Sequence, residues 1–198
     1  MNDIADQSTR ELLIELIGTY NATMLYTTSL RPLFCVEESA PMYKKVGLRR
    51  AQRKLIVARE LVTRCFAEQL RDCDLMTNPE LVRTYLTVQF APLEREVFAC
   101  LYLDTRHRII GNIEVLFRGT IDAATVHPRE VVKSALRRNA AAVIFAHNHP
   151  SGVTEPSPAD RALTRRLTDA LALVDVRVID HMVVGAEGAT SFAERGWL

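Results

Sequence analysis

His147 and His149 stand two residues apart at the end of an unbroken apolar run from Ala140 to Ala146. That run is long enough for one fully buried strand and too short for a membrane span. On an extended segment, residues two apart point to the same side. A Pro- and Gly-containing loop follows, and Asp160 closes it in Pro156-Ser157-Pro158-Ala159-Asp160. Two imidazoles and one carboxylate are the protein ligands a catalytic zinc takes, with a fourth position left for water acidified toward neutrality. The full pattern is His-x-His, seven residues, Ser, two residues, Asp.

Ser157-Pro158-Ala159-Asp160 also reads as a helix start, with Ser as N-cap, Pro at N1 and an acid at N3. The two readings are compatible, because a capped first turn fixes Asp160 where it can face the loop mouth. Other metal motifs fit less well. A zinc deaminase wants His-x-Glu and then Pro-Cys-x-x-Cys, and neither is present. A helical His-Glu-x-x-His is absent. His-x-His-x-Asp-His would need Asp where Ser151 stands.

The elements that must position these residues can be traced along the 198-residue chain, a length that allows one or two domains. Hydrophobic residues make up 48% and charged residues 25%, and net charge is +1, so whole-chain charge points to no nucleic-acid or membrane partner. The polar Met1 to Gln7 stretch resembles neither a signal nor a transit peptide. Cys35, Cys65, Cys73 and Cys100 form no Cys-x-x-Cys pair, and a reduced cytoplasmic setting with mostly buried thiols is expected.

Thr9 to Tyr20 carries a helical stripe of Leu12, Leu13, Leu16 and Ile17, with Gly18 as its end. Asn21 to Met42 gives no clear period. Leu48 to Leu70 predicts a longer helix with Leu55, Ala58, Leu61, Val62, Cys65 and Phe66 on its apolar face. Lys44, Lys45, Arg49, Arg50, Arg53 and Lys54 cluster before and within its start, either as phosphate contacts along DNA or as a solvated helix end. Glu68 to Asp74 reads as a linker, and Thr77-Asn78-Pro79-Glu80 opens a helix by capping-box logic. Arg95 to Asp104 alternates as a strand: Glu96, Phe98, Cys100 and Tyr102 on one face, Val97, Ala99, Leu101 and Leu103 on the other. A turn and a hairpin partner over Arg108 to Phe117 follow. Then come a helix over Pro128 to Arg138 facing inward through Val131, Val132, Ala135 and Leu136, the apolar strand, a helix from Asp160 to Leu173, and a strand over Val176 to Val184. Interleaved helices and strands around one buried sheet make an α/β (α+β) layered domain.

His147, His149, Ser157 and Asp160 together match the JAMM signature, and the chain resembles the RadC-type branch of the JAB/MPN metalloprotease superfamily. Phe117-Arg118-Gly119-Thr120, His127-Pro128-Arg129-Glu130-Val131-Val132, Asp180-His181 and Ser191-Phe192-Ala193-Glu194 carry the same resemblance. It implies a cytidine-deaminase-like JAB/MPN domain over 77–198, with a central mixed sheet flanked by helices. A small helical segment over 1–74 precedes it, with a degenerate helix-hairpin-helix-like stretch around Val46-Gly47-Leu48. It also implies Zn2+ held by His147, His149 and Asp160, and a Glu general base on an early strand. Glu96 matches that place, Glu94 is the runner-up and Glu130 a third candidate. By the same resemblance Ser157 donates to the oxyanion of a tetrahedral intermediate; its alternative role is the helix cap.

The expected function is zinc-dependent hydrolysis of an amide in a protein or peptide substrate. The alternatives are a DNA-binding or DNA-repair accessory protein acting through Lys44, Lys45, Arg49 and Arg50, and a non-catalytic scaffold. His107, His127 and His181 stay outside the expected ligand set, although a role behind the ligands is open to His181. Neither a membrane partner nor an oligomeric state is indicated.

Overall fold

The computed structural model describes residues 7–25, 46–71, 73–119, 126–186 and 188–198. The chain divides into two compact units, one ending at Val62 and one beginning at Thr63.

In the smaller unit, α1 (Thr9–Ile17) starts at a capping box in which Ser8 and Glu11 satisfy each other's backbone N–H groups, and ends at Gly18 with φ 85°. A second helix, α2 (Thr19–Leu25), occupies part of the stretch that gave no period. Leu13, Ile17, Ala22, Ala51 and Leu55 form its core. The predicted stripe is half right: Leu12 and Leu16 are exposed, as are Leu61 and Val62 farther along.

The long helix α3 (Val46–Arg71) contains Gly47 in its first turn, so no hairpin turn forms at Val46-Gly47-Leu48. Lys44 and Lys45 lie outside the described residues, as does the side chain of Arg49, while Arg50, Arg53 and Lys54 are exposed. The helix also runs through most of the expected linker. Leu70 is fully buried, with Phe66 and Ala67 packed beside it. The division between the two compact units falls inside α3, because apolar residues of its last turns belong to the sheet's core.

The larger unit is built on a five-stranded mixed sheet in the order β2-β1-β3-β4-β5, formed by β1 (Val97–Leu103), β2 (Glu114–Arg118), β3 (Ala142–Asn148), β4 (Arg177–Gly185) and β5 (Gly188–Ser191). β3 pairs parallel with β4; the other pairings are antiparallel. All seven residues of both β1 and β3 are buried, as central strands covered on two faces must be. The alternation read from β1 holds. Val97, Ala99, Leu101 and Leu103 join one core with Val82, Tyr85, Leu86 and Phe90 of α4 (Pro79–Phe90). Phe98, Cys100 and Tyr102 join the other with Val131 and Ala135 of α5 (Pro128–Arg137) and Leu167 and Leu171 of α6 (Pro158–Ala172).

Three local expectations are corrected. Asn78 precedes α4 but makes no side-chain cap; Asp74 instead caps the 3-10 turn at Leu75–Thr77. Leu136 is exposed, and Ser134 takes the inward place, donating its hydroxyl to Glu114, which Arg138 also reaches. Of the described cysteines, only Cys100 is buried; Cys65 is exposed and Cys73 intermediate. Among the described residues, no helix is long and apolar enough to cross a membrane.

Candidate metal centre

β3 carries His147 near its C-terminal end, and His149 follows one residue past the strand end. The chain then bends through Gly152, at φ 87°, against Gly185 at the end of β4. A methyl group at 185 would overlap the Gly152 carbonyl oxygen, so the two backbones meet where only hydrogen fits. Two bonds lock the contact: His149 N–H donates to Val184 O at 2.8 Å and Ala186 N–H to Gly152 O at 3.1 Å. The loop is thereby held against β4 and returns at the start of α6.

There Ser157 and Asp160 form a capping box. Ser157 Oγ accepts from Asp160 N–H at 3.2 Å, and Asp160 Oδ2 accepts from Ser157 N–H at 2.7 Å and from Ser157 O–H at 2.6 Å. Both expectations for this turn are met at once. The cap exists, and it aims the carboxylate at the histidines. Asp160 Oδ1 lies 3.4 Å from His147 Nε2, and Oδ2 lies 3.5 Å from His149 Nε2; the two Nε2 atoms are 3.0 Å apart. The Ser157 hydroxyl proton is committed to Asp160 here, so donation to a substrate requires that hydroxyl to turn.

The set suits a divalent cation. Two ligand atoms about 2.0–2.1 Å from a tetrahedral centre lie roughly 3.3 Å apart, close to all three separations. Among the described residues, these three bring ligand atoms within 4.8 Å of one another. His149 Nδ1 lies 2.8 Å from the Val153 carbonyl, which can only accept. The neutral ring therefore presents a bare Nε2 to His147 and Asp160. Converging lone pairs are what a metal takes and what a metal-free site must relieve with a proton.

Pairing with Asp160 accordingly raises the His149 pKa against the opposing effect of burial. Burial alone would raise the Asp160 carboxyl, but His149, His147 and Ser157 outweigh it and hold it well below the usual carboxylate range. His147, 1% exposed, is pushed down to about 4 by burial, with Asp160 opposing.

Glu96 sits just before β1. The register pairs Phe98 with His147, and continuing it by two residues puts Glu96 opposite His149. Glu96 lines the same cleft of about 330 Å³ as His147, His149, Ser157 and Asp160. Burial, then repulsion from Asp160, raises its carboxyl pKa, with His149 opposing. Glu94 is exposed in the bend before the strand. Glu130 is exposed on α5 and pairs with Lys133 at 3.3 Å. Neither lines the cleft. The remaining wall is apolar, from Phe98, Phe117, Val126 and Leu163, with Arg166 among them. Arg166 makes no hydrogen bond or ion pair among the described residues.

Two further residues support the site. Asn148, between the histidines, points to the opposite face and fastens the chain beside Glu96, donating to Arg95 O at 3.0 Å and accepting from Val97 N–H at 2.8 Å. His181 lies behind His147, its Nε2 2.8 Å from His147 Nδ1, with Thr164 on its other side. Strict alternation signals that Asn148 faces away from the histidines; no spacing reveals its partners. His107, at φ 57°, faces Arg177 and Asp74, and His127 is an exposed N-cap residue without a side-chain cap bond.

A five-stranded mixed sheet flanked by helices, with this triad at the end of a central strand, defines a JAB/MPN-type domain. A family model described as "RadC-like JAB domain" matches residues 76–197. UPF0758 proteins of Vibrio parahaemolyticus and Vibrio cholerae are each 53% identical over 171 residues, covering 86% of this chain and 75% of theirs. A UPF0758 protein of Aeromonas hydrophila is 58% identical over 139 residues, 70% of this chain and 62% of its own. The chain belongs to the RadC-like JAB domain family.

Proposed function

We propose that this protein is a zinc-dependent peptidase or isopeptidase, with His147, His149 and Asp160 holding the ion, Glu96 moving the proton and Ser157 assisting at the oxyanion. The observation that carries the reading is the convergence of three ligand atoms within 4.8 Å in a cleft that also admits Glu96. When bound, the ion supplies Lewis acidity, lowering the pKa of water and polarising an amide carbonyl. Glu96 Oε takes the proton from the attacking water and returns it to the departing amine nitrogen. Its carboxyl, with a pKa raised by burial and then by Asp160, suits it to both halves of that transfer. Asp160, kept ionised by its partners, stays a ligand rather than competing as base. Ser157 turns its hydroxyl from Asp160 to the developing oxyanion, where a fixed donor is worth most.

The apolar wall and the lone Arg166 suit a peptide with an apolar side chain and a carboxylate near the scissile amide. Metal analysis of the purified full chain, followed by a screen of peptide and isopeptide substrates, tests the reading. About one zinc per chain is expected, with cleavage abolished by Glu96→Gln while zinc remains. A native sample that neither contains zinc nor takes it up on titration would sink it.

The second reading, DNA contact, rests on the exposed Arg50 together with Lys44, Lys45 and Arg49. It requires binding that weakens steeply with salt and falls when these four residues are neutralised. Absence of binding at low salt removes it. A cytoplasmic location goes with the zinc-hydrolase reading, since free thiols suit a reducing compartment.

A further inference from the structure

We infer that Thr164, acting through His181, fixes His147 in the tautomer that leaves Nε2 unprotonated, so that this lone pair is set before any ion arrives. The inference rests on reading His147 as a metal ligand, and it makes Thr164 and His181 positioning residues.

The argument starts from a group whose role cannot change. Thr164 Oγ1 lies 2.6 Å from the main-chain carbonyl oxygen of Asp160. A carbonyl only accepts, and a hydroxyl has one hydrogen, so that hydrogen points at Asp160 O. Thr164 Oγ1 is also 2.7 Å from His181 Nδ1. With its hydrogen already given away, the hydroxyl must accept here, and His181 Nδ1 carries the proton. A neutral imidazole has one N–H, so His181 Nε2 is bare. That atom lies 2.8 Å from His147 Nδ1. It can only accept, so His147 Nδ1 carries the proton and His147 Nε2 is bare. His147 Nε2 is the atom 3.0 Å from His149 Nε2 and 3.4 Å from Asp160 Oδ1.

The surroundings leave the relay no other route. His181 is 0% exposed and His147 1%. The His181 ring is walled by Phe192, Phe98 and Phe145 at centroid distances of 4.8, 5.5 and 5.8 Å. A charged His181 ring would be desolvated, its two nitrogens facing His147 and Thr164 rather than a carboxylate, and at His147 burial outweighs the Asp160 carboxylate, so both rings stay neutral and each has one proton to place. Asp160 thus acts twice. Its side chain faces the histidines from α6, and its main-chain oxygen, through two buried groups, sets which nitrogen of a β3 histidine is free. Second-sphere partners of this kind fix ring orientation and tautomer in metal sites.

Long-range 1H–15N correlation spectra of the full chain, kept zinc-free with a chelator at neutral pH, read the tautomers directly. His147 and His181 are both expected with a protonated Nδ1 and an unprotonated Nε2. Either ring found as the Nε2–H tautomer would overturn the inference. Zinc affinity, measured by competition with a chromophoric chelator, gives the second arm. Thr164→Val keeps the shape and removes the hydroxyl, and about a 10- to 100-fold weaker Kd is expected. Thr164→Ser restores the hydroxyl and should stay close to the unmodified chain. A Thr164→Val protein with unchanged affinity and unchanged tautomers also overturns it. Should that variant not fold, the spectrum of the unmodified chain still decides. If the unmodified chain takes up no zinc but shows the expected tautomers, the relay stands and the metal reading falls.

Discussion

Asn148 Oδ1 accepts the backbone N–H of Val97 at 2.8 Å, so the residue between the two histidines clamps the start of β1. Its amide also donates to Arg95 O at 3.0 Å and lies 3.4 Å from Leu93 O. Glu96 is therefore held by the element that presents the histidines. Asn148→Ala leaves a buried N–H unpaired and is expected to cost about 1–3 kcal/mol of stability. Urea unfolding should show the loss while zinc stoichiometry is retained, since no ligand is touched. An unchanged midpoint would argue against the clamp.

Ligand removal should abolish the ion's stabilisation of the fold. An ion that binds only the folded chain adds about 2.7 kcal/mol at a free concentration 100 times its Kd. Chelation is expected to lower the Tm of the unmodified protein, and zinc to restore it. His147→Ala, His149→Ala and Asp160→Asn should each melt at one temperature with or without zinc. A zinc-dependent Tm in the Asp160→Asn variant would remove Asp160 from the set.

Stability of the zinc-free protein should fall with acid. Burial pushes His147 down to about 4 from an ordinary 6.5, and holds His181 well below that value with His147 adding to the effect. A histidine with a lowered folded-state pKa binds protons more readily when unfolded. Its stability is thus present above pH 6.5 and lost as pH falls toward 4, by at most roughly 3 kcal/mol for His147. His149 works the other way. Its raised pKa gives a contribution present below its ordinary value and lost as pH rises through the raised one. Denaturant midpoints from pH 8 to 4, with chelator present, should decline on the acid side. A flat profile would contradict the buried neutral rings.

Gly185→Ala should damage the site without touching a ligand. The added methyl meets the Gly152 carbonyl oxygen and the Thr154 methyl, and the first is backbone that cannot swing aside. The loop after His149 must shift, and weaker zinc binding together with a lower Tm is expected. Wild-type values in both measurements would show that the loop moves freely.

Arg166→Ala tests the substrate reading. If the guanidinium meets a substrate carboxylate, its loss should raise KM for acidic peptides by about 10- to 100-fold, the value of a charge-assisted hydrogen bond. Peptides lacking the carboxylate should be unaffected. Equal effects on both would place Arg166 outside recognition.

Most helices and strands of the larger unit were legible because burial imposes a period; β2 is shorter than the expected Arg108 to Phe117, and the short β5 was not read as a strand. The two faces of β1 separate into two cores as the alternation predicted, and α6 begins at its cap. The smaller unit was read less well. The apolar period at Leu12, Leu16, Leu61 and Val62 marks a helix, but these side chains are exposed, so period alone does not say what covers a face. The expected linker failed because charged residues around Leu70 hid a single core residue.

By itself, the sequence picked out His147, His149 and Asp160 as a set that could hold a metal, because strand alternation and a helix cap are local rules that orient side chains from spacing alone. Only the tertiary structure decided what surrounds them. That Glu96 lines the cleft and Glu94 does not follows from the register between β1 and β3, and the contacts behind His147 come from His181 on β4 and Thr164 on α6. Strand pairing and side-chain hydrogen bonds across the fold join residues far apart in the chain, and no periodicity within one element encodes which atoms will meet.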